Sequence, residues 1–402
     1  MTADALAGLK VLDLAWVVAG PAIGRSLADY GATVVRVESS TRIETARFMG
    51  PFPDGLADPN RSALFGTYNA GKLGISIDLR SEAGQAILED LVRWADVLVE
   101  SFAPGQLARW GMAPDRLRAI NPRLIGLSSS LMGQTGPYSN FGGYGNMGAA
   151  VAGFQQIVGN ADALPIGPYG PYTDYVGPRF ALVALLAALD QRRRSGEGCW
   201  IDIAQAESGI QFLGPQIAHG AATGEYPGAN GNRDASFAPH GVFRCEGEDE
   251  WIAIVARDDA EWATLAALIG GDAMDARFAT LAGRKQDEDR LEAVVAGWTA
   301  SRSPAAIEAQ LQGLGIPAHR ASSSADMLAD PQLQARGHFV HLPHPLGGES
   351  VFDASRYALS ETPARYSRTA PHFNRDRDFV LQDLLGYDAA RVAELDAAGV
   401  LR

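Results

Sequence analysis

Short aliphatic runs alternate with amphipathic stretches along the first half of the chain, and this alternation predicts an architecture. KVLDL (10–14) is followed by WVVAGPA and a helical spacing of apolar positions to Asp29; Tyr30-Gly31-Ala32 turns the chain, and TVVRVE (33–38) reads as a second strand. GISIDL (74–79), a helix over 82–95 and DVLVES (96–101) repeat the pattern, and short helices at 104–110 and 115–120 lead into a strand, RLIGLSS, from Arg123. Strands this apolar, each followed by a helix, predict an α/β fold with a mostly parallel, doubly wound, Rossmann-like sheet. Such sheets take ligands beyond the carboxyl ends of their strands, here loops 15–21, 38–50, 101–109 and 128–148.

The most apolar stretch, 180–189, is framed by Gly177-Pro178, which reads as a helix start, and by Arg192, Arg193 and Arg194, cations suited to a helix end, with Gly196 as the stop. The predicted helix is buried on most sides. Asp174 stands three positions before Gly177, in a loop of small and aromatic residues. There the helix dipole favours an ionised carboxylate, by roughly 0.3–1 kcal/mol at an exposed site, and an ionised carboxylate can serve as a nucleophile. The local sequence alone fits a helix-capping aspartate better than a catalytic one.

CWIDIA (199–204) reads as a further strand. From 227 the pattern changes to a loop, GANGNRDASFAP, then to a hairpin of GVFRCEG and EWIAIVA turning at 246–249, with helices at 259–270, 288–300 and 304–314. The expected division is a large domain over 1–225, a small α+β domain over 226–335, and a linker and return to the large domain over 336–402. In the Pro-, Gly- and His-rich tail, helical patterns recur only at 376–385 and 388–396.

A length of 402 residues with 47% hydrophobic content supports two domains with a sizeable core. The net charge of -13 argues against nucleic acid or an anionic membrane as a bulk partner. Two cysteines, Cys199 and Cys245, are too few for a disulfide framework and suit a reducing compartment. The opening has no basic-then-apolar run, and no stretch approaches the roughly 18 apolar residues of a membrane span. A cytoplasmic protein is the expectation.

Several motifs suggest other chemistry and fail on context. GTYNAGK (66–72) has phosphate-loop spacing, but Leu73 stands where magnesium coordination needs Ser or Thr. GYGNMG (143–148) matches GxGxxG, yet lies far from the strand ending near Ser129, so a flexible loop over a site is the better reading than a dehydrogenase fingerprint. His338, His341 and His344 recur at every third position with Pro343 and Pro345 between them, which excludes one helix face and disfavours a metal site. No GxSxG nucleophile elbow is present.

The segments LAGLKVLDLAWVVAGPAIGRSLADYGATVVRVE, NAGKLGISIDLRSEAG, ADVLVESFAPGQLARWGM, INPRLIGLSSSLMGQTGPY, the Asp174 helix, GEGCWIDIAQAE, APHGVFRCEGEDEWIAIV, GIPA and DPQLQARGHF follow one another as in the class III CoA-transferases. The chain resembles this family over nearly its whole length; the family includes formyl-CoA transferase, carnitine CoA-transferase and the α-methylacyl-CoA racemases. The resemblance implies a Rossmann-like large domain built from both chain ends, a small domain between them, and an interlocked homodimer, with a heteromer of related chains as the alternative. It implies Asp174 as the covalent nucleophile, carrying first the donor acyl group and then CoA, with an acyl-CoA and a carboxylic acid as substrates, no tightly bound cofactor and no metal. It places CoA against Val17, Ala19, Ile77, Arg80, Ser101, Phe102 and Arg109, and the reacting acyl group against Trp16, Val18, Tyr144 and Gly145.

Three positions depart from formyl-CoA transferase. Val18 replaces a glutamine, Gly145 a glutamate, and Ser39-Ser40 a basic residue after the second strand, so a larger, less polar acyl group is expected. All seven histidines lie at 219 or later, leaving no partner for Asp174 in racemisation, which needs two acid–base groups. Intramolecular CoA transfer and a non-catalytic partner-subunit role remain compatible with the sequence.

Overall fold

The computed structural model describes residues 4–402, which form two compact units. The first holds the chain up to Gln155 together with Gly167–Tyr226 and Gln332–Arg402; the second holds Gln156–Ile166 and Pro227–Pro331. The assignment of 156–166 to the second unit is a detour that the hydrophobic pattern did not predict.

The first unit is built on six strands: β1 (Lys10–Asp13), β2 (Thr33–Glu38), β3 (Leu73–Ser76), β4 (Val97–Glu100), β5 (Ile125–Ser130) and β6 (Trp200–Ala204). Every neighbouring pair is parallel, in the order β3-β2-β1-β4-β5-β6. The order reverses between β1 and β4, and this switch point opens a crevice at the carboxyl ends of the strands. The helices up to residue 210 are α1 (Ala19–Ala28), α2 (Ala63–Asn69), α3 (Glu82–Trp94), α4 (Gln106–Arg109), α5 (Pro114–Ile120), α6 (Gly145–Ala152), α7 (Phe154–Ile157), whose second half belongs to the second unit, α8 (Tyr172–Ser195) and α9 (Gln205–Ile210). Because successive strand residues face opposite ways, Leu12, Val35 and Leu98 join Ile87 and Leu91 of α3 in one core, while Val11, Val34 and Val97 join Ile23 of α1 and Leu185 of α8 in another.

Helix α8 departs from the sequence expectation in two ways. It begins at Tyr172, so Asp174 lies in its first turn and Pro178 inside it. The proline costs a single ladder bond, and the buried Thr173, Gly177 and Ala181 fix the chain on either side. The helix is also buried on one side only: Ala181, Leu182, Leu185 and Ala188 face the core, whereas Phe180, Val183 (70% exposed) and Leu186 stand outward.

The tail returns to the first unit and closes the β3 edge. The Gly74 N–H donates to Asp376 at 2.8 Å, the Ser76 N–H to Asn374 Oδ1 at 2.9 Å, and the Asp376 N–H to the Gly74 carbonyl at 2.9 Å. A loop thus satisfies the edge that a further strand would otherwise pair.

In the second unit, β7 (His240–Arg244), β8 (Trp251–Val255) and β9 (Ala318–Arg320) form an antiparallel sheet, and Trp262, Phe278, Leu291, Val295 and Leu311 fill the core. Strand β9 was not predicted, nor was the tail hairpin of β10 (Phe339–Pro343) and β11 (Glu349–Asp353) in the first unit. His and Pro obscure the alternation of β10, and the turn is made by Gly347 and Gly348, both at positive φ.

The carboxyl ends of β1 and β2 carry charge inside the fold. Asp13, Arg36, Glu38, Glu44, Arg47 and Lys72 are all buried, three cations against three carboxylates. Lys72 Nζ reaches Asp13 at 2.6 Å, the Pro21 carbonyl at 2.9 Å and Asn69 Oδ1 at 2.9 Å. Arg47 grips Glu38 through two bonds of 2.8 and 2.7 Å. Arg36 pairs with Glu44 and lies 3.7 Å from Asp13. The lysine of GTYNAGK therefore belongs to this lattice, and burial lowers its pKa to about 8 against the opposing pull of Asp13.

Candidate active site

A cleft of about 760 Å³ opens at the switch point. Its walls come from the segments that follow β1, β2, β3 and β4, from the end of β5, and from the loop before α6. Trp16, Val17, Val18 and Ala19 form one wall; Ile77 and Arg80 stand after β3, Ser101 and Phe102 after β4, and Tyr144 on the α6 approach, with Asp174 and Gln205 also lining the space. The structure brings these residues together from distant points in the sequence.

Two expected site residues are not in the lining. Arg109 ends α4 and is held at 2.6 Å by Gln106, which does line the cleft. Gly145 opens α6 and points its N–H at Asp174 Oδ2, 3.2 Å away. A Cβ at 145 would sit 2.4 Å from the Pro171 carbonyl oxygen and 2.5 Å from the Asp174 nitrogen, so this position is a close approach of two helix starts from which no side chain can project. Gly148 plays the same part, since its Cβ would meet Thr173 Oγ1 at 2.2 Å. The GYGNMG motif thus differs from its sequence reading: Gly143 and Tyr144 line the cleft, and Gly145 onward is helix packed on α8 through missing side chains.

Two buried carboxylates line the cleft, Glu38 and Asp174; Arg47 grips Glu38, whereas Asp174 is held by hydrogen-bond donors. Burial raises its pKa to about 6, against the hydrogen bonds from the Gly145 N–H and the Gln205 side chain, which favour the charge. The sequence expectation that a helix start would keep the group readily ionised is reversed in size: a dipole worth under about 1 kcal/mol at an exposed site is outweighed by desolvation. Thr173, in the same turn, donates to the Gly145 carbonyl at 3.2 Å, which fixes α6 against α8.

Aromatic rings form part of the lining. Trp16 and Phe102 meet edge-on at 6.3 Å, and Phe102 and Trp110 at 5.1 Å. Among the other aromatics near Asp174 in sequence, Phe141 and Tyr144 line the cleft, whereas Phe154, Tyr172 and Tyr175 do not. Sequence reasoning missed Arg42, which lies over the Trp16 ring at 5.2 Å and lines the cleft two residues beyond the Ser39-Ser40 pair that replaces the expected basic residue. The signal was present: Ser39 accepts from the Thr41 N–H and starts a helical turn, which carries a later side chain back toward the strand end. Arg80 also faces the cleft and pairs with Asp78 at 2.9 Å. His341 bonds Glu349 and His344 the Asn60 carbonyl, and among the described residues no cluster of His, Cys, Asp and Glu could hold a metal ion.

A doubly wound parallel sheet with a cleft at its switch point and the buried carboxylate of Asp174 in the lining defines a ligand-binding α/β enzyme. Residues 6–377 match the model of CoA-transferase family III. A succinyl-CoA–D-citramalate CoA-transferase of Chloroflexus aurantiacus is 32% identical over 98% of this chain and 97% of its own, and a succinate–glutarate CoA-transferase of Agrobacterium fabrum is 32% identical over 94% and 95%. A CAIB/BAIF family protein from Brucella suis superposes with a TM-score of 0.88 at 31% identity, covering 95% of this chain and 100% of its own. The chain belongs to CoA-transferase family III and is a class III CoA-transferase.

The raised pKa of Asp174 has a consequence for stability. A carboxyl whose folded pKa lies at about 6, above its usual 3.8, contributes stability that is complete below about pH 4 and is lost as pH rises through 6. Asp174→Asn removes that loss and keeps an acceptor for Gly145. The variant is expected to unfold at higher urea than wild type at pH 7.5, by up to roughly 3 kcal/mol, with the difference vanishing at pH 4; equal stability at both pH values would show that the carboxyl is not raised.

Proposed function

We propose that this enzyme transfers CoA from an acyl-CoA donor to a carboxylic acid through covalent intermediates on Asp174. The observation that carries the reading is the position of Asp174, buried in the lining of the cleft with the Gly145 N–H directed at its carboxylate. The carboxylate attacks the donor thioester carbonyl and expels CoA thiolate, leaving a mixed anhydride. The thiolate then attacks the aspartyl carbonyl and releases the donor acid, giving an aspartyl-CoA thioester. The acceptor carboxylate attacks this thioester and expels thiolate again, and the thiolate attacks the acceptor acyl carbon, which returns Asp174. No net proton is consumed, and every leaving group is a good one, so a weakly basic carboxylate suffices. Gly142 and Gly143 line the cleft, and their backbone N–H groups are proposed as donors to the developing oxyanions.

In this reading CoA lies along the cleft, with Val17, Ala19, Ile77, Ser101 and Phe102 against its apolar parts and Arg42, Arg80 and Arg109, which is bonded to the lining residue Gln106, near its phosphates. Trp16, Val18 and Tyr144 bound the acyl group. Two relatives are named for succinyl or succinate transfer, which makes a short dicarboxylic acyl-CoA the first donor to try, ahead of the less polar acids that Val18 suggested. The outward apolar face of α8, with Phe180, Val183 and Leu186, is proposed to be covered by a second copy of the chain.

Incubation with succinyl-CoA and a panel of other acyl-CoAs is expected to give a hydroxylamine-sensitive mass adduct on wild type and none on Asp174→Ala; an adduct persisting in the variant would overturn the assignment. Because only the ionised carboxylate attacks and its pKa is raised to about 6, kcat/KM should fall tenfold per pH unit below about pH 6 and level off above it. Arg42→Ala and Arg80→Ala, at exposed positions, should each raise KM for the acyl-CoA by roughly two- to fivefold and leave kcat unchanged, whereas unaltered KM in both would remove them from the phosphate site. Light scattering should give a dimer mass for wild type and a lower one for Val183→Glu; a monomeric wild type would refute the second copy.

A further inference from the structure

Val17 holds an unusual backbone conformation for its residue type. Its φ is +66°, the left-handed region that glycine enters freely and a β-branched side chain resists. The residue lies in the cleft wall between β1 and α1, and the turn around it is held by one bond of its own and three from outside. The Ala15 N–H donates to Asp13 Oδ1 at 2.9 Å, the Ala15 carbonyl accepts from Arg36 at 2.8 Å, and the Trp16 N–H donates to Ser101 Oγ at 2.8 Å. The Val17 N–H itself donates to the Glu44 carboxylate. Glu44 is fully buried, its other oxygen faces Arg36, and it is not among the residues that line the cleft.

We infer that Glu44 is a positioning residue for coenzyme recognition: anchored by Arg36, its carboxylate holds Val17 in the left-handed conformation and so gives the Trp16–Ala19 wall the shape that accepts CoA. This rests on the reading of the cleft as the CoA site. Strained backbone persists only where its surroundings over-determine it, and a buried carboxylate paired with a guanidinium is a stiff, directional acceptor. Without that acceptor, Val17 relaxes toward negative φ, the 16–19 segment rotates, and Trp16 and Val18 move within the cleft. Glu44 touches neither substrate nor Asp174, so its loss is expected to weaken binding and spare the chemical step.

The test is a double-mutant cycle on the full chain with Glu44→Gln and Val17→Gly, read as the dissociation constant for CoA by calorimetry and the rate of Asp174 adduct formation at saturating acyl-CoA. Glycine adopts the left-handed conformation without restraint, so Val17→Gly makes the clamp dispensable. Glu44→Gln leaves an amide oxygen for the Val17 N–H but loses the charge that Arg36 anchors, so alone it is expected to raise the CoA dissociation constant roughly tenfold, on the scale of the charge assistance to one hydrogen bond, with the saturated adduct rate within about twofold of wild type. In the Val17→Gly background the same change should raise it less than about threefold. Equal effects in the two backgrounds, or no effect of Glu44→Gln on binding by a folded protein, would overturn the inference. If Glu44→Gln does not fold, Glu44→Asp replaces it in the cycle, since it keeps the charge for Arg36 and shortens the reach to Val17. Failure of wild type itself to bind CoA would refute the reading of the cleft instead.

Discussion

Three cations and three carboxylates are buried at the carboxyl ends of β1 and β2, where the strand order of the sheet is about to reverse. Taking ions out of water costs several kcal/mol each, and only close pairing with further hydrogen bonds offsets that cost. The pairing is close: Lys72 binds Asp13 and two further oxygens, Arg47 forks onto Glu38, and Arg36 stands among Asp13, Glu38 and Glu44. A lattice of this kind tolerates little movement, because shifting one member strands another in an apolar interior. The turn from Asp13 to Val17 hangs from it, and that turn is one wall of the cleft. The stability of the sheet and the shape of the site therefore share a set of side chains.

Asp174 meets the opposite arrangement. Burial dominates its titration, the partners that favour its charge are hydrogen-bond donors, the Gly145 amide and Gln205, and its pKa rises to about 6. A carboxylate held by a close cation would be more firmly ionised and less nucleophilic. One that is desolvated and held by dipoles is ionised at neutral pH and still reactive. What permits this is steric: Gly145 and Gly148 let the start of α6 approach α8 more closely than any side chain would allow, and the amide that greets the carboxylate comes from that approach.

The parallel sheet was legible from the sequence because its central strands are buried on both faces and read as aliphatic runs. The switch-point loops followed from that topology, and Trp16, Val18, Ser101 and Phe102 were found on them. Asp174 itself was legible as chemistry only through the ordered resemblance to a family, since an aspartate near a helix start is ordinarily a cap. Arg36 and Glu38 were a signal left unused: two charges within TVVRVE must be buried and paired if that strand is interior. The hairpin β10–β11 was hidden because His and Pro blur the period of two, and β9 because it is only three residues long.

The sequence by itself determined which segments become strands and helices, since periodicity and turn residues act over a few neighbours, and it determined the family through the order of its segments. Tertiary structure alone decided what each polar group experiences. The lysine of a phosphate-loop pattern became an ion-pair partner of Asp13, the glycines of a dinucleotide fingerprint became a helix contact, an apolar helix kept one face outward, and a carboxylate expected to ionise freely was desolvated. Each of these depends on groups far apart in the chain, through burial and electrostatic fields that no local window contains.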